Sequence, residues 1–135
     1  MRALDIENIK RFKFFIGGFH GPNHRFELNG GALLYLADGE ADVLKPSPLK
    51  WRNFIAKLDA QGVWTWKKYY NNRDVCDGTQ WELDIVVGDK RVKSGGSNNY
   101  PGLVKDPKIL SFPENSPQFD AFLAALKNLT GKKIR

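Results

Sequence analysis

Apolar and polar residues alternate along the first part of the chain in runs that fit β-strands. In "RFKFFI" (Arg11 to Ile16), Phe12, Phe14 and Ile16 fall on one side, with Arg11, Lys13 and Phe15 on the other. In "RFEL", Phe26 and Leu28 oppose Arg25 and Glu27. The alternation returns in "QWELDIVV", where Trp81, Leu83, Ile85 and Val87 oppose Gln80, Glu82 and Asp84. Strands are predicted near 11–19, 24–29, 32–37, 63–70, 79–87 and 90–94. "HGPNH" and "NGG" carry turn chemistry between the first three, and Gly88-Asp89 sits at the tip of a tight hairpin.

Twice the period changes to that of a helix. After "KPSP", Trp51, Phe54, Ile55 and Leu58 form one apolar stripe; Ser47 caps, Pro48 suits the first turn and Gly62 the exit. After "ENSP", Phe119, Phe122, Leu123 and Leu126 form another, with Ser116, Pro117 and Gly131 in the same roles. The stripes coincide position by position at a shift of 68 residues, and "RFEL" resembles "QWEL". The expected fold is therefore α+β: an antiparallel sheet of about six strands with two helices packed on one face, built as pseudo-duplicated β-β-β-α units. The units span residues 10–62 and 63–131 of a single domain covering 1–135.

Two amphipathic helices need one sheet face to cover. Trp64, Trp66 and Trp81 are expected to supply it, while Thr65, Lys67 and Tyr69 look the other way. Lys68 and Tyr70 fall on the core side near the strand end. The opposite face would then present Lys13, Phe15, Arg25, Lys67, Tyr69, Arg91 and Lys93. Glu27, Glu82 and Asp84 share that face, so cross-strand ion pairing is the plain alternative to ligand binding there.

Composition refines this picture modestly. Of 135 residues, 41% are hydrophobic, 27% charged and 13% aromatic, which fits a globular core rich in rings. The formal net charge of +6 favours encounter with nucleic acid or an acidic protein. Cys76 is the only cysteine, so no intrachain disulfide forms. The start of the chain has no apolar run of signal-peptide length, and no segment approaches a membrane span; a cytoplasmic location is expected. The basic tail "GKKIR" reads as frayed.

Candidate chemistry is sparse. The loop "SGGSNNYPG" (Ser94 to Gly102) offers Ser97, Asn98, Asn99 and Tyr100, with glycines that permit a backbone anion nest. It lacks the Lys-Ser/Thr ending of a phosphate loop, and a turn with Tyr100 anchoring the crossover to the last helix is the structural reading. His20 and His24 flank a turn and read as exposed; too few further ligands accompany them for a metal site. Asp74 and Asp77 flank Cys76 and would raise its pKa, which fits a quiet thiol better than a nucleophile. No cofactor or metal is expected.

The order Trp64-x-Trp66-x-x-x-Tyr70, Asp77-Gly78-x-x-Trp81-x-Leu83, Gly96-Ser97-Asn98-x-Tyr100-Pro101, then Phe119-x-x-Phe122-x-x-x-Leu126 resembles a pattern from small uncharacterised bacterial proteins. The resemblance covers the second half of the chain. It implies a bacterial or phage-borne origin and a shared fold, and brings no activity and no catalytic residues with it.

The function expected is that of a non-enzymatic module binding a protein partner through the open sheet face or the Ser94–Gly102 loop, within a bacterial or phage-encoded system. A single-stranded nucleic-acid binder using Lys13, Arg25, Lys67, Tyr69, Arg91 and Lys93 is the alternative. A small enzyme joining His20 or His24 to Asp77 or Cys76 is the second alternative. The same open face would also serve a homodimer.

Overall fold

The computed structural model describes residues 8–18, 23–71, 79–97, 100–101 and 116–134. Seven strands form one sheet: β1 (Ile9–Gly18), β2 (His24–Asn29), β3 (Ala32–Ala37), β4 (Glu40–Leu44), β5 (Tyr69–Asn71), β6 (Thr79–Val87) and β7 (Lys90–Ser97). Helix α1 (Pro48–Ala60) separates β4 from β5, and α2 (Pro117–Thr130) follows β7. The sheet order is β4-β3-β2-β1-β6-β7-β5. Every pairing is antiparallel except β5 with β7 at the edge.

Three two-residue turns set the registers. Asn29 pairs with Ala32 across Gly30-Gly31, Ala37 with Glu40 across Asp38-Gly39, and Val87 with Lys90 across Gly88-Asp89. Gly39, at φ 77°, takes a left-handed conformation that a side chain would resist.

Both helices lie on one face. Phe12 of β1 meets Trp51 and Phe54 of α1 at ring distances of 5.8 and 5.5 Å. Two residues on, Phe14 meets Phe122 and Phe119 of α2 at 5.0 and 6.4 Å. Phe54 and Phe122 touch each other at 6.1 Å, closing the roof. Each helix opens on a serine cap: Ser47 Oγ accepts the Lys50 N–H at 3.2 Å, and Ser116 Oγ the Phe119 N–H at 3.1 Å.

The segment expected to be a strand over 63–70 folds otherwise. Gly62 leaves α1 with a left-handed φ of 66°, and Val63–Thr65 make one 3-10 turn. Only Tyr69–Asn71 join the sheet. Trp81 is fully buried, but Trp64 and Trp66 are half-buried and pack against the core from its rim. Trp64 keeps its indole N–H near the surface, donating to Asp59 at 2.6 Å. Lys68 is exposed rather than core-facing. Strand β4 is an addition to the six expected strands; among the described residues four strands precede α1 and three lie between α1 and α2.

Of the tail expected to fray, the described residues 131–134 are anchored, and Arg135 lies outside the described residues. Ile134 is buried, and Lys132 Nζ reaches Glu40 at 2.7 Å and Asp42 at 2.9 Å, both on β4. The same ammonium lies 5.0 Å from the centre of the Tyr35 ring. The hydrogen bonds to Glu40 and Asp42 raise the Lys132 pKa. In return the Lys132 hydrogen bond and charge, with the Val43 N–H, lower that of Asp42 below its ordinary 3.8. The contribution of Asp42 is present above 3.8 and is lost as pH falls through its lower folded value. That of Lys132 is present below 10.5 and is lost only as pH rises through its raised folded value. An acid titration followed by NMR should therefore release the Ile134 methyl signals while the rest of the core still disperses. A tail that stays put until global unfolding would contradict the clamp.

Candidate functional site

The aromatic residues in the second-half pattern sort first, because all of them but Trp64 converge on one place. Trp81 lies 4.8 Å from Phe119, and Tyr100 lies 4.8 Å from the same ring. Trp66 reaches Trp81 at 5.9 Å, Phe122 at 5.8 Å and Phe119 at 6.3 Å. Tyr70 stacks on Trp81 at 6.1 Å. The pattern is thus a packing signature: its rings hold α2 onto the β6-β7-β5 end of the sheet. Tyr100, a loop candidate in the sequence, is buried in this cluster. Ser97 ends β7, opposite Gln80 and Asn71, and Asn98 and Asn99 lie outside the described residues.

The doubled glycine belongs to strand β7, not to a turn, and neither residue has a positive φ. Gly96 faces the helices. It is flanked in register by Trp81 of β6 and Tyr70 of β5, and its missing side chain lets those two rings meet over it. Gly95 faces the other way, between Glu82 and Tyr69.

On that opposite face the described residues leave a groove of about 360 Å³ across β2, β1, β6, β7 and the start of β5. Five of the seven residues singled out from the sequence line it: Lys13, Phe15, Arg25, Tyr69 and Lys93. Lys68, assigned to the core side from the sequence, lines it as well. The remaining two lie outside. Arg91 shares the face but sits opposite Val86, nearer the Gly88-Asp89 turn. Lys67 is exposed in the segment before β5, where its backbone N–H donates to the Tyr70 hydroxyl at 2.9 Å and its carbonyl accepts from the Ser94 hydroxyl.

Charge in the groove is mixed. Its four cations, Lys13, Arg25, Lys68 and Lys93, stand among three carboxylates, Glu27, Glu82 and Asp84. Lys13 pairs with Glu27 at 3.2 Å, and Asp84 with Arg11 at 3.1 Å. These pairs are largely exposed, so each contributes only about 0–1 kcal/mol. Arg25 lies 4.9 Å from the centre of the Phe15 ring instead of on an acid. Lys68 and Lys93 form no ion pair with the described residues. Tyr69, 58% exposed, flanks the groove from the edge strand. Beyond β2 the face turns apolar: Leu36 is paired with Arg25 and Ala41, and Leu34 with Glu27 and Val43. Leu36 and Val43 are 50% and 58% exposed.

His24 is not the exposed turn residue that the sequence suggests. It opens β2 opposite Ile16, is buried, and shares a 2.9 Å hydrogen bond between Nδ1 and the Tyr35 hydroxyl. His20, Cys76, Asp74 and Asp77 lie outside the described residues. Among the described residues no group of three His, Cys, Asp or Glu is placed to hold a metal ion. No described helix is long and apolar enough to cross a membrane.

Fold and site together define a two-layer α+β protein whose mostly antiparallel sheet carries helices on one face and a mixed-charge groove on the other. No protein-family model and no curated protein matches the sequence.

Proposed function

We propose that the chain is a single-domain binding module that docks a protein partner on the uncovered face of its sheet. One observation carries this reading. Along the groove, rings and cations alternate with carboxylates, giving a surplus of only one positive charge. A phosphate backbone calls for cations in a row, and Glu82 in the centre of the sheet interrupts them. A polypeptide carries both signs and apolar side chains, and so matches what the face offers, including the neighbouring Leu36 and Val43. The matched burial of Trp51, Phe54 and Leu58 with Phe119, Phe122 and Leu126 supports the internal-repeat reading for the helices.

The single-stranded nucleic-acid reading keeps one point in its favour: Phe15 and Tyr69 stand beside Arg25, Lys68 and Lys93. Photo-crosslinking separates the two readings. A benzophenone side chain at Tyr69 should give a discrete polypeptide adduct in extract of the native host, competed by excess unmodified protein. The same group at Arg52, exposed on α1, should not. Adducts containing only nucleic acid, or equal adducts from both positions, would overturn the proposal.

A further inference from the structure

The two adjacent glycines of β7, Gly95 and Gly96, face opposite sides of the sheet. Both interrupt a strand that has no conformational need of glycine. On the helix side the gap over Gly96 is filled by the chain's own Tyr70 and Trp81. On the other side Gly95, itself buried, borders the floor of the groove. A Cβ there would lie 3.1 Å from the Trp81 carbonyl oxygen and 3.7 Å from Glu82 Cγ, so neighbouring strands keep the position small. Glycine within a strand marks places where another backbone can approach closely.

Around this floor the unpaired charges are mostly positive. Lys13 and Asp84 are committed to Glu27 and Arg11. Of the remaining ionic residues, Arg25, Lys68 and Lys93 have no acidic partner among the described residues, and only Glu82 stands against them. Phe15 and Tyr69 bracket the same space. From this charge complementarity we infer that the groove takes an acidic peptide segment. Its carboxylates would reach Arg25, Lys68 and Lys93, and an apolar side chain would sit between Phe15 and Tyr69 over Gly95. Three spaced cations interrupted by Glu82 suit separate side-chain carboxylates better than the continuous charge of a nucleic-acid strand.

This inference rests on the protein-binding reading above, and one experiment tells their failures apart. A random-sequence peptide display library is selected on the immobilised full chain, and enriched peptides are synthesised and titrated. The expected winners carry a surplus of Asp and Glu around an aromatic or aliphatic residue. Lys93→Glu and Arg25→Glu, both at exposed positions, should each weaken them by about tenfold or more. Tyr69→Ala should weaken them with a smaller change in salt dependence. Near-native circular dichroism and melting of the variants make the losses specific to the groove. Winners without acidic residues whose binding still falls with Tyr69→Ala would sink the acidic-segment inference and leave the docking reading standing. Winners indifferent to all three substitutions, or no winners, would sink both. Single-stranded oligonucleotides that bind where acidic peptides fail would sink both as well.

Discussion

Trp81→Ala should cost about 3–5 kcal/mol of folding stability, whereas Trp64→Ala should cost about 1–2 kcal/mol. Sequence pattern alone gives these two tryptophans equal rank; their surroundings separate them. Trp81 is 1% exposed on a central strand and touches Phe119, Trp66 and Tyr70. Deleting its indole leaves a cavity between sheet and α2 that close-packed neighbours cannot refill. Trp64 sits on a 3-10 turn at the rim of the core, half-buried, with its N–H on the exposed carboxylate of Asp59. Its loss removes one hydrogen bond and part of a hydrophobic contact, while Asp59 keeps its 3.1 Å pair with Lys90. Urea denaturation of both variants, compared by midpoint at unchanged slope, checks the contrast. Equal losses would mean that the turn at Val63–Thr65 belongs to the core as much as β6 does.

The same contrast shows what the chain made legible. Strands β1, β2 and β6 could be read because one side of each is apolar and the other polar, as in Phe12, Phe14 and Ile16 against Arg11 and Lys13; β3, apolar on both sides, could be read as a short apolar run that follows the Gly30-Gly31 turn. The helices could be read from their stripes and serine caps. Strand β4 was not, because its pattern is inverted: Ala41 and Val43 face solvent, and Glu40 and Asp42 turn toward Lys132 near the end of the chain. Asp38-Gly39 carried a hairpin signal that pointed to it. "VWTWKKYY" misled in the opposite way. It alternates like a strand, but the chain leaves α1 through a left-handed Gly62 and must turn, with Thr65 Oγ1 donating to the Gly62 carbonyl at 2.7 Å. A local turn of this kind overrides periodicity.

The groove was legible in part for the same reason. Lys13, Phe15, Arg25 and Lys93 follow from strand alternation once the buried face is named. Tyr69 was placed on the right face from a strand longer than the real one. Lys68 was missed because the segment before β5 is irregular, so counting by twos fails there. The role of Gly95 needed the sheet order. Only with β5 lying parallel beside β7 do Tyr69 and Glu82 flank that glycine. Parallel pairing after a long connection leaves no local trace in sequence.

Trp51→Ala should cost a further independent 3–5 kcal/mol or so, and its coupling to Phe12 tests how α1 is held. Trp51 is 1% exposed and meets Phe12 edge-on at 5.8 Å, with Phe54 at 6.1 Å beside it. Phe12 meets α1 through Trp51 and Phe54, whereas Phe14 two residues on meets α2 through Phe119 and Phe122. The strand therefore offers successive core positions to successive helices. If that division holds, Trp51→Ala and Phe12→Ala should be non-additive by about 0.5–3 kcal/mol, because the first deletion already strips the second ring of its partner. Trp51→Ala combined with Trp81→Ala should instead add to within about 0.5 kcal/mol, since they loosen different helices from different strands. Thermal and urea unfolding of the two double-mutant cycles measures both. Strong coupling between Trp51 and Trp81 would show that the Phe54–Phe122 contact binds the helices into one unit, and that neither helix can loosen alone.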